Sequence, residues 1–342
     1  MRYPYTGISV HCQNIVNSLH RMDVSRGFDI TLFAPRNAVA YCQKYYPVYE
    51  INKLYKFFIP NKNRYQLWHT TGQNSKYFPD FYSGKRLLTI HDLNFLHENV
   101  SDEKRMQFFR ELGRRIRKSD KIVTISHFVK SDIVHNYAID PAKVEVIYNC
   151  LSTDMPAITI PDYVPKNPFF FTVGFVEDKK NFKVLPAMLL HNDYELVVAG
   201  RITDPEYHRS LMAYAAELGV ADRVHVLGTI PDGARNWYLQ NCAALPFPSK
   251  AEGFGLPVIE AMFFGKPVLL SKATSLPEIG GDVAYYFEGY EPDAIANMTT
   301  HVLNDIKNRP ELVEASKQRA AMFSWENTAQ QYIQLYRQML GV

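Results

Sequence analysis

Two carboxylates bracket a glycine loop in the segment AEGFGLPVIEAM, residues Ala251–Met262. Gly253 and Gly255 permit a tight turn and close backbone approach by a ligand. Pro257 suits the first turn of a helix and Gly265 its end. A strand, a glycine loop and a helix start leave free backbone N–H groups at an anion site, typically one for phosphate. Glu252 falls in the loop and Glu260 about one turn into the helix. Carboxylates accept hydrogen bonds from sugar hydroxyls, and a phosphate would repel both, so they should face hydroxyls on opposite sides of it. Spacing alone says nothing, because Glu103 and Glu111 repeat it within a basic helical stretch. The glycine–proline–helix context carries the information.

A second cluster, GFVEDKKNF over Gly174–Phe182, follows the apolar run Phe169–Val173. Lys180 is placed there to meet negative charge growing on a leaving diphosphate. On composition alone, Lys179 and Lys180 read better as a solvated turn, and it is their position after a strand end that favours the site. In the first half, LLTIHDL over Leu87–Leu93 sets His91 and Asp92 at the end of an apolar run. Histidine exchanges protons near neutral pH, and an adjacent carboxylate can fix its orientation.

The elements that must position these residues are short apolar runs. They are Ile30–Ala34, Leu87–Ile90, Ile122–Ile125 and Val144–Ile147, then Phe169–Val173, Leu196–Ala199, Val224–Leu227, Ala243–Phe247, Val268–Leu270 and Val283–Phe287. Runs without strict alternation suit strands buried on both faces, hence parallel sheets covered by helices. The expected fold is α/β, with two doubly wound parallel-sheet, Rossmann-like domains facing a central cleft. A chain of 342 residues suits two domains. Pro156, Pro161, Pro165 and Pro168 mark a linker. The expected domains are residues 1–155 and 156–324, with 325–342 a terminal helix packing across a domain surface.

The AEGFGLPVIEAM string resembles the signature of family-four, GT-B-type retaining glycosyltransferases. Thr6-Gly7-Ile8, Val173-Gly174, Leu227-Gly228, Pro248-Ser249, Gly265 to Val268, Leu276 to Ile279 and Phe323 to Glu326 resemble further landmarks of that family. The resemblance implies sugar transfer from a nucleotide donor bound mainly by the second domain, with the acceptor mainly on the first. By the same resemblance, Glu260 matches the glutamate that holds the donor ribose, and Glu252 the one that holds hydroxyls of the transferred sugar. Backbone at Phe254, Gly255 and Leu256, beside Gly253, matches the segment contacting diphosphate and sugar. Lys180, after Gly174, matches the phosphate lysine. His91 and Asp92 match the segment beside the donor sugar, and Gly7 the glycine loop facing donor phosphate or acceptor. Phe175 stands where many members have an arginine, which removes one cation and makes backbone N–H groups or another basic residue, Lys179 the nearest, more important.

Similarity to bacterial mannosyltransferases of surface-polysaccharide pathways makes GDP-mannose the first-choice donor and a UDP-sugar the second. The acceptor would be a glycan or lipid-linked glycan. No cofactor and no metal are expected, since lysine and helix-end N–H groups can neutralise a diphosphate. The resemblance favours front-face substitution, and no protein nucleophile is assigned. The rivals are a GT-B-like epimerase or phosphorylase and a non-catalytic nucleotide-sugar-binding module.

Charge refines the partners. The net charge is only +3, but residues 1–155 carry 22 Lys+Arg against 14 Asp+Glu, a balance of +8 that leaves −5 for the rest. The stretch Glu103–Lys121 is basic, with Met106, Phe109, Leu112 and Ile116 at helical spacing. It suits a core-packed helix with a solvated basic face, or attraction to anionic lipid. Lys53–Tyr65 mixes basic and aromatic residues and reads as an acceptor or membrane loop or, equally, as core packing of Phe57 and Phe58. No nucleic-acid recognition motif is present. Four scattered cysteines, without CxxC, and no apolar leader favour a cytoplasmic protein, peripheral at most at the membrane's inner face. The oligomeric state stays open. The first domain lacks the opening strand that a doubly wound sheet places centrally, so the natural product is expected to start upstream, or another segment to fill the gap.

Overall fold

The computed structural model describes residues 7–22, 27–56, 59, 61–97, 100–151 and 155–342. Thr6, Phe57, Phe58 and any opening strand before Gly7 lie outside them. The chain divides into two compact units, one of Met1–Thr153 with Phe323–Val342 and one of Asp154–Met322. Pro156–Pro168 therefore belongs to the second unit. Asn236 Nδ2 donates to the Pro156 carbonyl at 2.9 Å, and Lys166 and Asn167 N–H groups donate to the buried Glu195 carboxylate at 2.7 and 2.9 Å. Phe323 belongs to the first unit, where its carbonyl accepts from Leu151 N at 3.0 Å.

In the first unit, β1 (Leu32–Ala34) pairs parallel with β2 (Val48–Glu50). A four-stranded parallel sheet runs β3 (Leu67–Thr70), β4 (Lys85–Ile90), β5 (Lys121–Thr124) and β6 (Val144–Val146). Successive strand residues point to opposite faces. Leu87 and Val123 meet Ile15 and Leu19 of the Gly7–Arg21 helix, together with Tyr332, Leu335 and Met339 of the Trp325–Leu340 helix. Leu88, Ile90 and Ile122 face Leu112, Ile116, Val129 and Ile133 on the other side. Each such fully buried aliphatic side chain contributes about 1.5–3 kcal/mol. Among the described residues, no strand pairs with the outer edge of β3.

The sequence pattern misses β2 and β3. Val48–Glu50 is partly exposed, and Leu67–Thr70 alternates half-buried with buried positions, so neither reads as a continuous apolar run. The basic stretch is the Asp102–Lys118 helix, capped by Ser101. Its apolar face is narrower than expected, since Met106 is 47% exposed. Arg115 faces inward instead, buried with its guanidinium on the Gln73 carbonyl. Glu103 and Glu111 are exposed on it.

In the second unit, β7 (Phe169–Val173), β8 (Glu195–Ala199) and β9 (Val224–Gly228) form one parallel group. β10 (Leu245–Phe247), β11 (Val268–Leu270) and β12 (Tyr285–Tyr286) form another. A parallel bridge between Phe170 and Ala244 joins them, with Ala243 N donating to the Phe169 carbonyl at 2.8 Å. The spatial order is thus β9-β8-β7-β10-β11-β12, doubly wound with its switch point between β7 and β10. Ligands in such sheets bind beyond the carboxyl ends at the switch point, where Gly174 and the Ser249–Gly255 loop emerge.

Candidate active site

The loop after β10 leads to the Leu256–Phe263 helix, with Gly255 at its N-cap in the left-handed region at φ 106°. A Cβ there would lie 3.0 Å from Leu276 Cδ2, so backbone and space both call for glycine. The turn after β11 fixes the loop. Thr274 Oγ1 accepts from Glu252 N at 2.9 Å, and Ser275 Oγ donates to the carbonyls of Glu252 and Phe254 at 2.9 and 3.1 Å.

After β7, Gly174 sits under a second glycine. A Cβ on Gly200 would fall 1.8 Å from the Gly174 carbonyl oxygen. The chain then makes the 3-10 turn Asp178–Lys180 and ends it on Asn181 at φ 56°. Two contacts bind this turn to the β10 loop. Lys250 N donates to the Lys179 carbonyl at 2.8 Å, and Lys250 Nζ meets Asp178 Oδ1 at 2.7 Å.

Lys180 and Glu252 meet directly. Lys180 Nζ donates to Glu252 Oε1, and both side chains are 14% exposed. The ammonium also lies 5.3 Å from the centroid of the Phe247 ring, a favourable cation–π placement. Glu260 faces elsewhere, with Arg235 Nη2 donating to its Oε1 at 3.0 Å. Burial pushes the Glu260 carboxyl upward, while Arg235 pulls it down. Phe175 carries the Arg201 guanidinium 5.1 Å above its ring. The second unit thus brings Gly174, Lys180, Glu252, Gly253, Phe254, Gly255 and Leu256 to the switch point, with Glu260 one turn along the helix.

In the first unit, Gly7 opens the Gly7–Arg21 helix. His91 follows β4 and is buried. Its Nε2 lies 2.8 Å from the Thr71 carbonyl. A carbonyl only accepts, so Nε2 carries the proton and Nδ1 is the acceptor. The orientation therefore comes from Thr71, where an adjacent-carboxylate reading expected Asp92. Asp92 Oδ1 instead accepts from Asn94 N at 3.1 Å. Gln73 holds this backbone at two points, accepting from His91 N at 3.0 Å and donating to the Asp92 carbonyl at 3.2 Å.

Two further histidines of this unit join it, His11 buried like His91 and His69 half-buried. His11 packs edge-on against His91, with ring centroids 4.6 Å apart, and its Nδ1 pairs with Asn149 Oδ1 at 2.6 Å. His69 bridges Tyr336 Oη and Thr89 Oγ1 at 2.8 and 2.7 Å. Burial lowers all three, His69 to about 3, and mutual repulsion adds to the lowering of His11 and His69. Burial thus favours the neutral form of His91 at neutral pH, with Nδ1 as its acceptor.

Nothing in the spacing of the sequence singles out Arg235, Arg201, Gln73 or Arg115. Each comes from an element remote from the motif it supports. The four cysteines are free thiols. Among the described residues, no group of His, Cys, Asp and Glu could hold a metal ion, and no helix is long and apolar enough to cross a membrane.

Two parallel-sheet α/β units, the second doubly wound with charged side chains gathered at its switch point, define the GT-B architecture. Residues 5–155 match the family model described as Glycosyltransferase Family 4, and residues 160–319 match that of Glycosyl transferases group 1. The O-antigen chain mannosyltransferase B of Escherichia coli is 27% identical over 291 residues, covering 76% of this chain and 73% of that protein. The O-antigen chain mannosyltransferase RfbU of Salmonella typhimurium is 25% identical over 248 residues, covering 71% and 67%. Among solved structures, Anabaena Alr3699/HepE in complex with UDP and glucose superposes with a TM-score of 0.77 at 17% identity, over 97% of this chain and 96% of that one. The chain belongs to the family-four GT-B glycosyltransferases, and it is an enzyme of that class.

Proposed function

We propose that this glycosyltransferase moves a hexose, mannose first, from a nucleotide diphosphate sugar to a glycan or lipid-linked acceptor in surface-polysaccharide synthesis. The observation that carries the reading is the Lys180–Glu252 pair at the switch point, on the glycine loop that opens the Leu256–Phe263 helix. GDP-mannose is the preferred donor because the similar curated proteins are O-antigen mannosyltransferases. A UDP-sugar is the second choice, supported by the UDP and glucose bound in HepE.

In this reading, Lys180 and the loop N–H groups receive the donor diphosphate, Glu252 takes hydroxyls of the transferred sugar, and Glu260 takes the ribose. Arg201, stacked on Phe175, is the second cation near Gly174 and takes the place expected of Lys179. His91, with Nε2 committed to Thr71, offers Nδ1 to a sugar hydroxyl. The anomeric carbon–oxygen bond to the diphosphate breaks as the acceptor hydroxyl oxygen attacks from the same face. The hydroxyl proton passes to the leaving phosphate oxygen, and Lys180 stabilises the charge left there. The basic first unit suits an anionic or membrane-borne acceptor, in keeping with a cytoplasmic enzyme working at the membrane surface.

The test is transfer from GDP-mannose and UDP-glucose to a lipid-linked glycan fraction, with the product anomer read by proton NMR. An α-linked product whose formation is abolished by Glu252→Ala supports the reading. Transfer that persists unchanged in Glu252→Ala and His91→Ala would overturn the site assignment. Nucleotide-sugar binding without turnover on any acceptor would favour a binding module.

A further inference from the structure

A lone carboxylate buried in a protein tends to neutralise itself by taking up a proton. Glu260 is 12% exposed at its side chain and keeps a cation, Arg235, 3.0 Å away. Asp232, on the same helix as Arg235, acts on Glu260 in the opposite sense. The ion pair is only half used. Glu260 Oε2 and Arg235 Nε are both buried, and neither has a hydrogen-bond partner. Buried ion pairs are stable when their remaining donors and acceptors are satisfied, so an orphan on each partner is costly. One leftover acceptor and one leftover donor match a ligand hydroxyl, which both donates and accepts.

We propose that Arg235 is a positioning residue of the donor site, holding the Glu260 carboxylate in place so that its second oxygen accepts from a hydroxyl of the donor ribose. The proposal rests on the reading of Glu260 as the ribose-contacting residue. Arg235 acts through Glu260: it fixes one oxygen and opposes the burial that raises the carboxyl, favouring the charged acceptor, which makes the stronger hydrogen bond. Without the guanidinium, Asp232 and burial act on Glu260 unopposed, and the carboxyl takes up a proton at higher pH.

The experiment measures GDP and UDP binding by calorimetry at pH 7.5 and 5.5, using the full chain. The variants are Arg235→Gln, Arg235→Lys, Glu260→Gln and the double Arg235→Gln/Glu260→Gln, each checked for cooperative thermal unfolding. Arg235→Gln is expected to weaken the nucleotide that binds by about tenfold at pH 7.5, the scale of one charge-assisted hydrogen bond, and by more at pH 5.5. Arg235→Lys restores most of the affinity. The double variant binds no more weakly than Glu260→Gln alone, because Arg235 has nothing left to position. Arg235→Gln binding like the wild type at both pH values would overturn the proposal. So would an equal, pH-independent loss in the Glu260→Gln background, which marks a direct ligand contact or a structural strut. If Glu260→Gln itself leaves binding intact, the ribose reading of Glu260 falls first and the role of Arg235 with it. Should Arg235→Gln not fold, Arg235→Lys at the two pH values carries the test, with an affinity like that of Glu260→Gln contradicting the proposal.

Discussion

Lys180 and Glu252 stand 72 positions apart in the chain, yet the ammonium of one donates to the carboxylate of the other. The pair closes the gap between the loops that follow β7 and β10, the neighbours at the switch point. In the free protein, each group satisfies the other. In the proposed reaction they exchange partners, the lysine for diphosphate and the glutamate for sugar hydroxyls.

Lys180→Ala should therefore do two things at once. It removes the cation at the leaving group, lowering kcat by about 10²–10³-fold. It also leaves a mostly buried carboxylate unpaired, at a cost of about 1–3 kcal/mol in unfolding free energy. Adding Glu252→Ala should recover part of that stability but none of the activity. Denaturant midpoints and steady-state kinetics on the three variants check this, and purely additive stability losses would contradict the pairing.

Gly200→Ala should cost about 3 kcal/mol or more, since φ is 133° and the new Cβ would meet the Gly174 carbonyl at 1.8 Å. Gly255→Ala should be milder, because Leu276 Cδ2 at 3.0 Å can yield, but it should disturb the loop proposed to receive the diphosphate. The expected signatures are a large fall in Tm for the first and a smaller fall with weakened nucleotide affinity for the second. Equal Tm values for both would count against the close packing of Gly174 and Gly200.

The histidine cluster sets an acid limit on stability. His11, His69 and His91 sit below the ordinary value of 6.5, His69 at about 3. Below pH 6.5 the unfolded chain takes up protons that the native cluster refuses. Stability is thus intact above about pH 6.5 and falls as pH drops toward the lowered native values, by up to about 1.4 kcal/mol per pH unit per histidine. Urea unfolding at pH 7.5, 6.0 and 5.0 should show this slope, and His11→Gln should flatten it. An identical slope in that variant would remove His11 from the explanation.

Arg201→Ala should raise the dissociation constant for the donor nucleotide sugar about three- to tenfold while leaving Tm within a degree or two, because the side chain is exposed and its contact is the Phe175 face. Lys179→Ala is the control. A larger loss there would return the second-cation role to Lys179.

What the sequence makes legible follows from where the chemistry is local. The glycine loop, Pro257 and the run Phe169–Val173 are contiguous, so the local geometry of the second unit's candidate site reads directly. His91 is found by its place at a strand end, but not the groups that orient it. Thr71 and Gln73 reach it from the loop after β3, a strand whose half-buried alternation conceals it. Arg115 shows the limit of charge counting: counted among basic helix residues, it is buried and binds the Gln73 carbonyl. Arg235 and Arg201 are invisible for the same reason, since a helix start and a strand end supply partners that only the fold brings near.

The most direct test of a nucleotide-sugar donor site on the second unit is a thermal-shift titration with GDP-mannose, UDP-glucose and UDP-galactose. A ligand that binds only the native state stabilises it by mass action, about 2.7 kcal/mol at one hundred times its dissociation constant. The predicted result is a concentration-dependent rise in Tm with one donor, GDP-mannose first, that is lost in Lys180→Ala and Glu260→Gln. A flat Tm with every nucleotide sugar in the wild type would contradict the donor site.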